Sequence, residues 1–292
     1  MEEAGGGFRH SPAREEGTLA LPLTESPAPP SWAAPPRRRR LSPRTRHRLV
    51  ALLLLVVVGA PAFLFGGLLW VGHVDLEEAR AKFRAAGPDA ATPVPGLPTP
   101  GVYQYRTTGG EHVSFLDYHR AYTGTSMRVV TRRGCGVREE HWFLVQHLEY
   151  YDRCADMLPA YGTDIAYWWT HGTQDFRCAP GSFDMAKGVP GDRVTWNCRD
   201  EDTRAAQTTE YLGDEEVVVD GQTIRARHTR WTTVFSGATR GTAIVDDWFH
   251  PTNGLVLRER RSIGLRVGSV FVGTLAYIDT SEFTLLSLEP VR

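Results

Sequence analysis

Seven histidines lie beyond residue 100, at positions 112, 119, 141, 147, 171, 228 and 250. With paired carboxylates and two serines, they are the groups in this chain that could do chemistry. His141, Phe143, Val145, His147 and Glu149 alternate along an apparent strand over 137–151 and so share a face. At about 3.3 Å per residue, His141 and His147 stand roughly 20 Å apart, too far for one metal. His147 and Glu149, ~7 Å apart, offer two ligands without a third. That face reads as partly solvated, because Trp142, Leu144, Leu148 and Tyr150 make the more apolar one. Asp246-Asp247 and Glu215-Glu216 are sequence neighbours that point to opposite strand faces, so neither pair can serve one acid–base centre. Their default partners are arginines. Ser126 and Ser236 lack a base or oxyanion context, and the chain has no G-x-S-x-G, phosphate-binding Gly-rich loop, H-E-x-x-H or EF-hand loop. The expectation is no catalytic residue, no cofactor, no metal and no enzyme. An extracytoplasmic hydrolase stays open as the alternative.

The aromatics point elsewhere. Tyr150, Tyr151, Tyr161, Tyr167, Trp168, Trp169 and Phe176 crowd into 27 residues. In a curved sheet they suit either ordinary core or an apolar ligand surface, the candidates for the latter being Tyr150, Tyr161, Tyr167, Trp168, Trp169 and Phe176. A net charge of −1 gives no basic field for nucleic acid. Of the 33 basic residues only Lys82 and Lys187 are lysine, a bias that fits Arg-rich coding in a GC-rich genome.

The element that must position all this is Leu49–Gly72, 24 residues without a charge. It is long enough, at roughly 36 Å, to cross the ~30 Å core of a bilayer as a helix. Arg37–Arg40, Arg44, Arg46 and Arg48 precede it; Asp75, Glu77 and Glu78 follow. The bias predicts a single-pass protein with a cytoplasmic N-terminus and an extracytoplasmic C-terminal domain. Ala60-Pro61-Ala62 resembles a signal-peptide cleavage site, but the greasy FLFGGLLWV after it favours an uncleaved anchor. Residues 1–48, rich in proline, read as a disordered cytoplasmic tail whose arginines set topology and could also meet anionic headgroups or a partner. Residues 73–100 read as a short helix and a Pro-rich linker. The helix, 74–86, carries Leu76, Ala79, Phe83 and Ala86 on one face and a Glu78–Lys82 pair, continues the membrane helix and stops at Gly87-Pro88. Five prolines over 88–100 then predict a stiff extended spacer.

From Gly101 the period becomes two. β-Branched and aromatic segments alternate with turns over 101–292, which predicts a mostly β domain: an antiparallel sheet, strongly curved or closed, with a curved sheet or half-barrel as the fold class. Asp220-Gly221 predicts a two-residue hairpin pairing Val219 with Gln222, Val217 with Ile224 and Glu216 with Arg225. Pro251–Gly254 reads as a four-residue loop that sets Trp248 opposite Leu257 and Asp247 opposite Arg258. All four cysteines, Cys135, Cys154, Cys178 and Cys198, lie in this domain, and their even count predicts two disulfides. If 137–151 runs down, 162–170 up, 173–178 down and 193–198 up, strand parity slightly favours nested pairs, Cys154–Cys178 with Cys135–Cys198, over sequential ones.

Several stretches carry a resemblance: Gly134-Cys135-Gly136-Val137, Phe176-Arg177-Cys178, Pro190-Gly191 with Trp196 and Cys198, Ser236–Gly241 and Leu288-Glu289-Pro290. With them the outer domain resembles uncharacterised single-pass envelope proteins of high-GC bacteria. Trp248–Arg258 is also similar to a hairpin of the lipoprotein-carrier (LolA-like) superfamily, which implies a curved antiparallel half-barrel over a helix lid with acyl chains in an apolar cavity. The combined expectation is a membrane-anchored binding or scaffolding domain of the cell envelope for a lipid-like or other apolar ligand. The bilayer is contacted through 49–72, an envelope protein is a further candidate partner, and a purely structural interaction module is the remaining alternative.

Overall fold

The computed structural model describes residues 72–122, 124–155, 157–167, 170–179, 188–269 and 273–292. The expected tail and membrane helix lie outside them. Among the described residues no helix is long and apolar enough to cross a membrane.

The first helix, α1 (Leu76–Ala85), does not continue from upstream: Gly72–Asp75 are not helical, and the Asp75 side chain caps the helix by accepting from the Glu78 N–H at 2.8 Å. Glu77 and Glu78 in its first turn and Lys82 and Arg84 in its last complement the helix dipole. Ala79 and Phe83 pack on Val102, Met127 and Val129, while Lys82 sits 4.0 Å over the Trp142 ring. Nor is the proline stretch a free spacer. After a 3₁₀ turn (Pro88–Ala91), Val94 and the buried Leu97 join the core of the β-domain.

The strands are β1 (Gly101–Val113), β2 (Tyr118–Ala121), β3 (Gly124–Arg133), β4 (Gly136–Leu144), β5 (His147–Arg153), β6 (Ala160–Tyr167) and β7 (Thr170–Cys178). After these come β8 (Arg193–Arg199), β9 (Thr203–Val219), β10 (Gln222–Gly237), β11 (Thr239–Phe249), β12 (Val256–Ser269) and β13 (Gly273–Leu285). Each pairs antiparallel with its neighbour in sequence, except that β2 and β3 share one position beside β1. β13 returns to pair with β1 from Tyr105↔Leu285 to Val113↔Tyr277. The sheet is therefore a closed twelve-strand barrel rather than a half-barrel. At this seam Gly109 has φ +93°, and a Cβ there would run into the Thr280 carbonyl. The packing face of α1 meets the outer wall of β1 and β3, not an open concave face.

The outer wall carries ion pairs between neighbouring strands: Arg138–Asp152, Arg193–Glu210, Arg258–Glu282, and Asp246 held by both Arg230 and Arg260. A membrane-spanning barrel presents an apolar band there, so these strands face water.

The Asp220-Gly221 hairpin has the expected register. The loop at Pro251–Gly254 does not. Asn253 Oδ1 accepts from the Leu255 N–H, a bulge follows, and Asp247 pairs with Glu259 and Trp248 with Arg258. That one-residue shift buries Asp247.

The disulfides are sequential, Cys135–Cys154 and Cys178–Cys198, with Cα separations of 5.4 and 4.0 Å. Nesting fails for two reasons. Segment 137–151 is a hairpin, β4 up and β5 down, so Cys135 and Cys154 meet at one end. β7 is staggered along β8, so that Cys178 at the lower end of β7 lies directly across from Cys198 at the upper end of β8. Non-reducing peptide mapping should yield one peptide joining Cys135 to Cys154 and another joining Cys178 to Cys198. A Cys135–Cys198 peptide would mean that β7 and β8 are aligned end to end and that this register is wrong.

Candidate functional site

Because β4 and β5 form a hairpin with a bulge near Phe143, the face expected to be solvated is the barrel interior. His141, Phe143 and His147 are all at most 2% exposed, and Glu149 faces inward with them. Val145 lies in the turn.

Two fully buried arginines organise this interior. Arg261 holds Glu149 through two parallel N–H···O bonds of 2.9 and 2.8 Å, reaches Glu259 at 2.7 Å, and lies over the Phe143 and Phe283 rings. Arg128 bridges Glu139 and Glu259 at 3.3 and 2.8 Å. Arg153 also binds Glu139. Nearer the rim, Arg120 pairs with Glu111, whose other oxygen accepts from Tyr167 at 2.6 Å and Tyr277 at 3.0 Å and lies 3.2 Å from His147.

Proton positions follow from these contacts. Burial pulls His147 down, but Glu111 and Glu149 outweigh it and hold the ring at about 9. Glu111, which burial would raise, is brought to about 2 by His147 and Arg120. Burial raises Asp279 to about 6, and burial together with the Glu259 charge pushes Asp247 well above the carboxylate range. His141 is held well below the usual imidazole range by burial and by the Arg128 and Arg261 cations.

The structure places Ser126 Oγ 2.9 Å from His141 Nε2, a pair the spacing of residues did not reveal. It is built the wrong way round for nucleophilic catalysis. Arg128 donates to His141 Nδ1 at 3.0 Å, so in the neutral ring Nε2 carries the proton and donates to Ser126. A serine nucleophile needs that nitrogen as an acceptor. His147 and Glu149 do approach, at 3.6 Å, but Glu149 is saturated by Arg261, and a metal ion would meet that cation.

Beside this charged layer the barrel is hollow. A cavity of about 740 Å³ lies against β5–β7 and β9–β13, with the charged layer at one end. Its apolar wall includes Phe176, Trp231, Phe235, Val245, Ile263 and Leu265. Of the six candidate aromatics, Tyr161, Tyr167 and Phe176 line it, with Tyr161 and Phe176 stacked at 4.8 Å. Tyr150 does not. Its ring lies across Gly162, its hydroxyl donates to Asp175, and Arg138 stacks on it. Trp168 and Trp169 lie outside the described residues. Among the buried polar atoms of cavity-lining residues that have no hydrogen-bond partner among the described residues are Asp247 Oδ1, Gln207 Oε1, the Tyr161 hydroxyl and the Nε atoms of Arg128 and Arg261.

No family model matches the chain, and no curated protein matches it. Among solved structures it is similar to the hypothetical lipoprotein YmcC from Escherichia coli K12, at 12% identity over 74% of this chain and 98% of that one, with a TM-score of 0.35. It is also similar to a lipoprotein candidate from Parabacteroides distasonis ATCC 8503, at 12% identity over 66% and 98%, with a TM-score of 0.29.

Among the described residues β7 and β8 pair only at Arg177↔Arg199 and Cys178↔Cys198, with the Ala179 N–H donating to the Asn197 carbonyl just beyond. Above that point Gln174 instead donates to Thr239 Oγ1 at 2.7 Å, so β7 leans toward the start of β11. At the other end of the same hairpin, Arg120 donates to the Ala166 carbonyl at 3.0 Å and stacks on Tyr167.

The rim network sets a pH dependence. The folded-state pKa of His147 lies above its ordinary 6.5, so its contribution is complete below 6.5 and is lost as pH rises through about 9. Glu111 is shifted down, so its contribution is complete above its ordinary 4.5 and is lost as pH falls toward about 2. Denaturation of the purified protein should show stability falling by on the order of 3 kcal/mol between pH 6.5 and 9. In His147→Gln that alkaline fall should vanish. A wild-type curve flat from 6.5 to 9 would show His147 to be neutral in the fold.

Proposed function

We propose that this chain is a membrane-anchored, extracytoplasmic binding domain of the cell envelope whose barrel takes up the apolar part of a lipid-like ligand. The cavity carries this reading: its volume falls within the ~300–1,000 Å³ typical of small-molecule sites, and its wall is mainly apolar. The two disulfides fit an oxidising, extracytoplasmic compartment.

Electrostatics narrows the ligand. The cavity-lining cations Arg128, Arg153 and Arg261 are each already ion-paired. An anionic head entering first would face no unopposed positive charge among them and would lie beside Glu149 and Glu259. The buried end of the ligand is therefore uncharged: hydrocarbon, or a group able to bond the Asp247 carboxyl, the Gln207 carbonyl or the Tyr161 hydroxyl. Binding is favoured over hydrolysis because the Ser126–His141 pair has the wrong proton arrangement.

A fluorescent stearate probe titrated into the full-length protein should bind saturably. Ala243→Phe, which places a ring in the cavity, should weaken it at least about tenfold, since lost burial costs ~25 cal/mol per Å². The thermal midpoint checks that the variant is folded. Equal probe affinity in wild type and a folded Ala243→Phe would show that the cavity is not the site.

A further inference from the structure

Outside the cavity, one side-chain cluster on the barrel rim has the construction of a metal site. His112 in β1 and His119 in β2 are direct cross-strand partners, and their rings stack 4.2 Å apart and 14° from parallel. Both Nε2 atoms converge on the same oxygen, Asp117 Oδ1, at 2.8 and 3.4 Å. The loop reaches this arrangement through two consecutive left-handed residues, Leu116 (φ 55°) and Asp117 (φ 51°), a conformation that side-chain-bearing residues rarely adopt. The three donor atoms all lie within 4.8 Å of one another.

We propose that His112, Asp117 and His119 bind a divalent first-row transition ion, with Zn²⁺ as the reference case. Metal–ligand bonds of about 2.0–2.1 Å at tetrahedral angles put ligand atoms about 3.3 Å apart. The His119–Asp117 contact already has that spacing, and the His112–Asp117 contact needs to open by about half an ångström. Two imidazoles and one carboxylate suit Zn²⁺, Ni²⁺ or Cu²⁺ rather than Ca²⁺ or Mg²⁺. The side chains of His119 and Asp117 are 67% and 84% exposed, so an ion has access and its remaining position opens to water.

The other histidine clusters among the described residues lack this geometry. His147 is enclosed with Arg120 and Arg261 close to its carboxylates, and His171 has Asp164 as its only ionic partner among the described residues. An ion at the rim would cross-link the hairpin between β1 and β2, whose other face presents Glu111 and Arg120 to Tyr167. It would thereby brace the contact between this hairpin and the tip of β6 and β7.

The test is Zn²⁺ titration of the tag-free, full-length protein by isothermal calorimetry after chelator treatment, with native mass spectrometry for stoichiometry. One Zn²⁺ should bind per chain, His112→Ala and His119→Ala should each weaken it at least about tenfold, and His171→Ala should not change it. Asp117→Asn keeps a hydrogen-bonding side chain in the loop and should weaken binding while leaving the thermal midpoint in place. The absence of saturable Zn²⁺ binding, or its survival in the His112→Ala/His119→Ala double variant, would overturn the proposal.

Discussion

A closed barrel of twelve strands encloses more space than apolar side chains readily fill, and the structure depends on how that space is occupied. Barrel diameter grows about linearly with strand number, and around eight strands already leave just enough room for packed side chains. Here one half of the interior is filled by long charged side chains and the other is left open. Arg128 and Arg261 suit the filled half because a planar guanidinium spans the gap, binds carboxylates in parallel pairs and stacks on rings. Residues of that length reach across the barrel; leucines on the same strands would not.

Filling a core with charge is tolerable only if the charges cancel. Arg120, Arg128, Arg153, Arg261 and the protonated His147 face Glu111, Glu139, Glu149, Glu259 and Asp279. Asp247, the sixth carboxylate in the group, is pushed well above the ordinary carboxylate range by burial and by the charge of Glu259 directly opposite it. Burying such ions costs several kcal/mol each, which the pairs repay only together, so loss of one member leaves its partner charged in a dry interior. The layer is thus poor evidence of added stability and good evidence of a fixed interior shape. Its rigidity gives the neighbouring cavity a defined end, and its neutrality makes that end unattractive to a charged ligand.

Much of the architecture could be read from residue order. Period-two segments located the strands, Asp220-Gly221 fixed a hairpin to the residue, and Gly87-Pro88 ended α1. What stayed hidden was mostly parity. Val145-Gln146 carries no Gly or Pro to mark a turn, so β4 and β5 read as one strand. The ranking of faces by hydrophobicity then chose Trp142 and Leu148 as core. In a wide barrel that ranking inverts, because the interior can hold ions while outward apolar residues are covered by a helix, as Val102, Met127 and Val129 are by α1. A better signal was available: ionisable residues recurring two apart, Glu139-x-His141, His147-x-Glu149 and Glu259-x-Arg261, mark one face across several strands.

The same parity governs the candidate sites. Tyr161 and Phe176 reach the cavity because they are directly paired across β6 and β7, whereas Tyr150, one residue out of phase with Tyr151, faces the other way. The His112–His119 pair was equally invisible, since neither residue stands near the other in any recognised ligand spacing and only the register of a short hairpin superposes them. In an antiparallel pair such a register is set by the turn. Here the turn is a strained one, Leu116-Asp117, that an Asn-Gly or Asp-Gly step would have formed at less cost. Either step would put glycine at 117 and so remove the carboxylate that meets the two imidazoles. The strain is thus accounted for by what the loop delivers, a third oxygen or nitrogen donor at a point where two already converge.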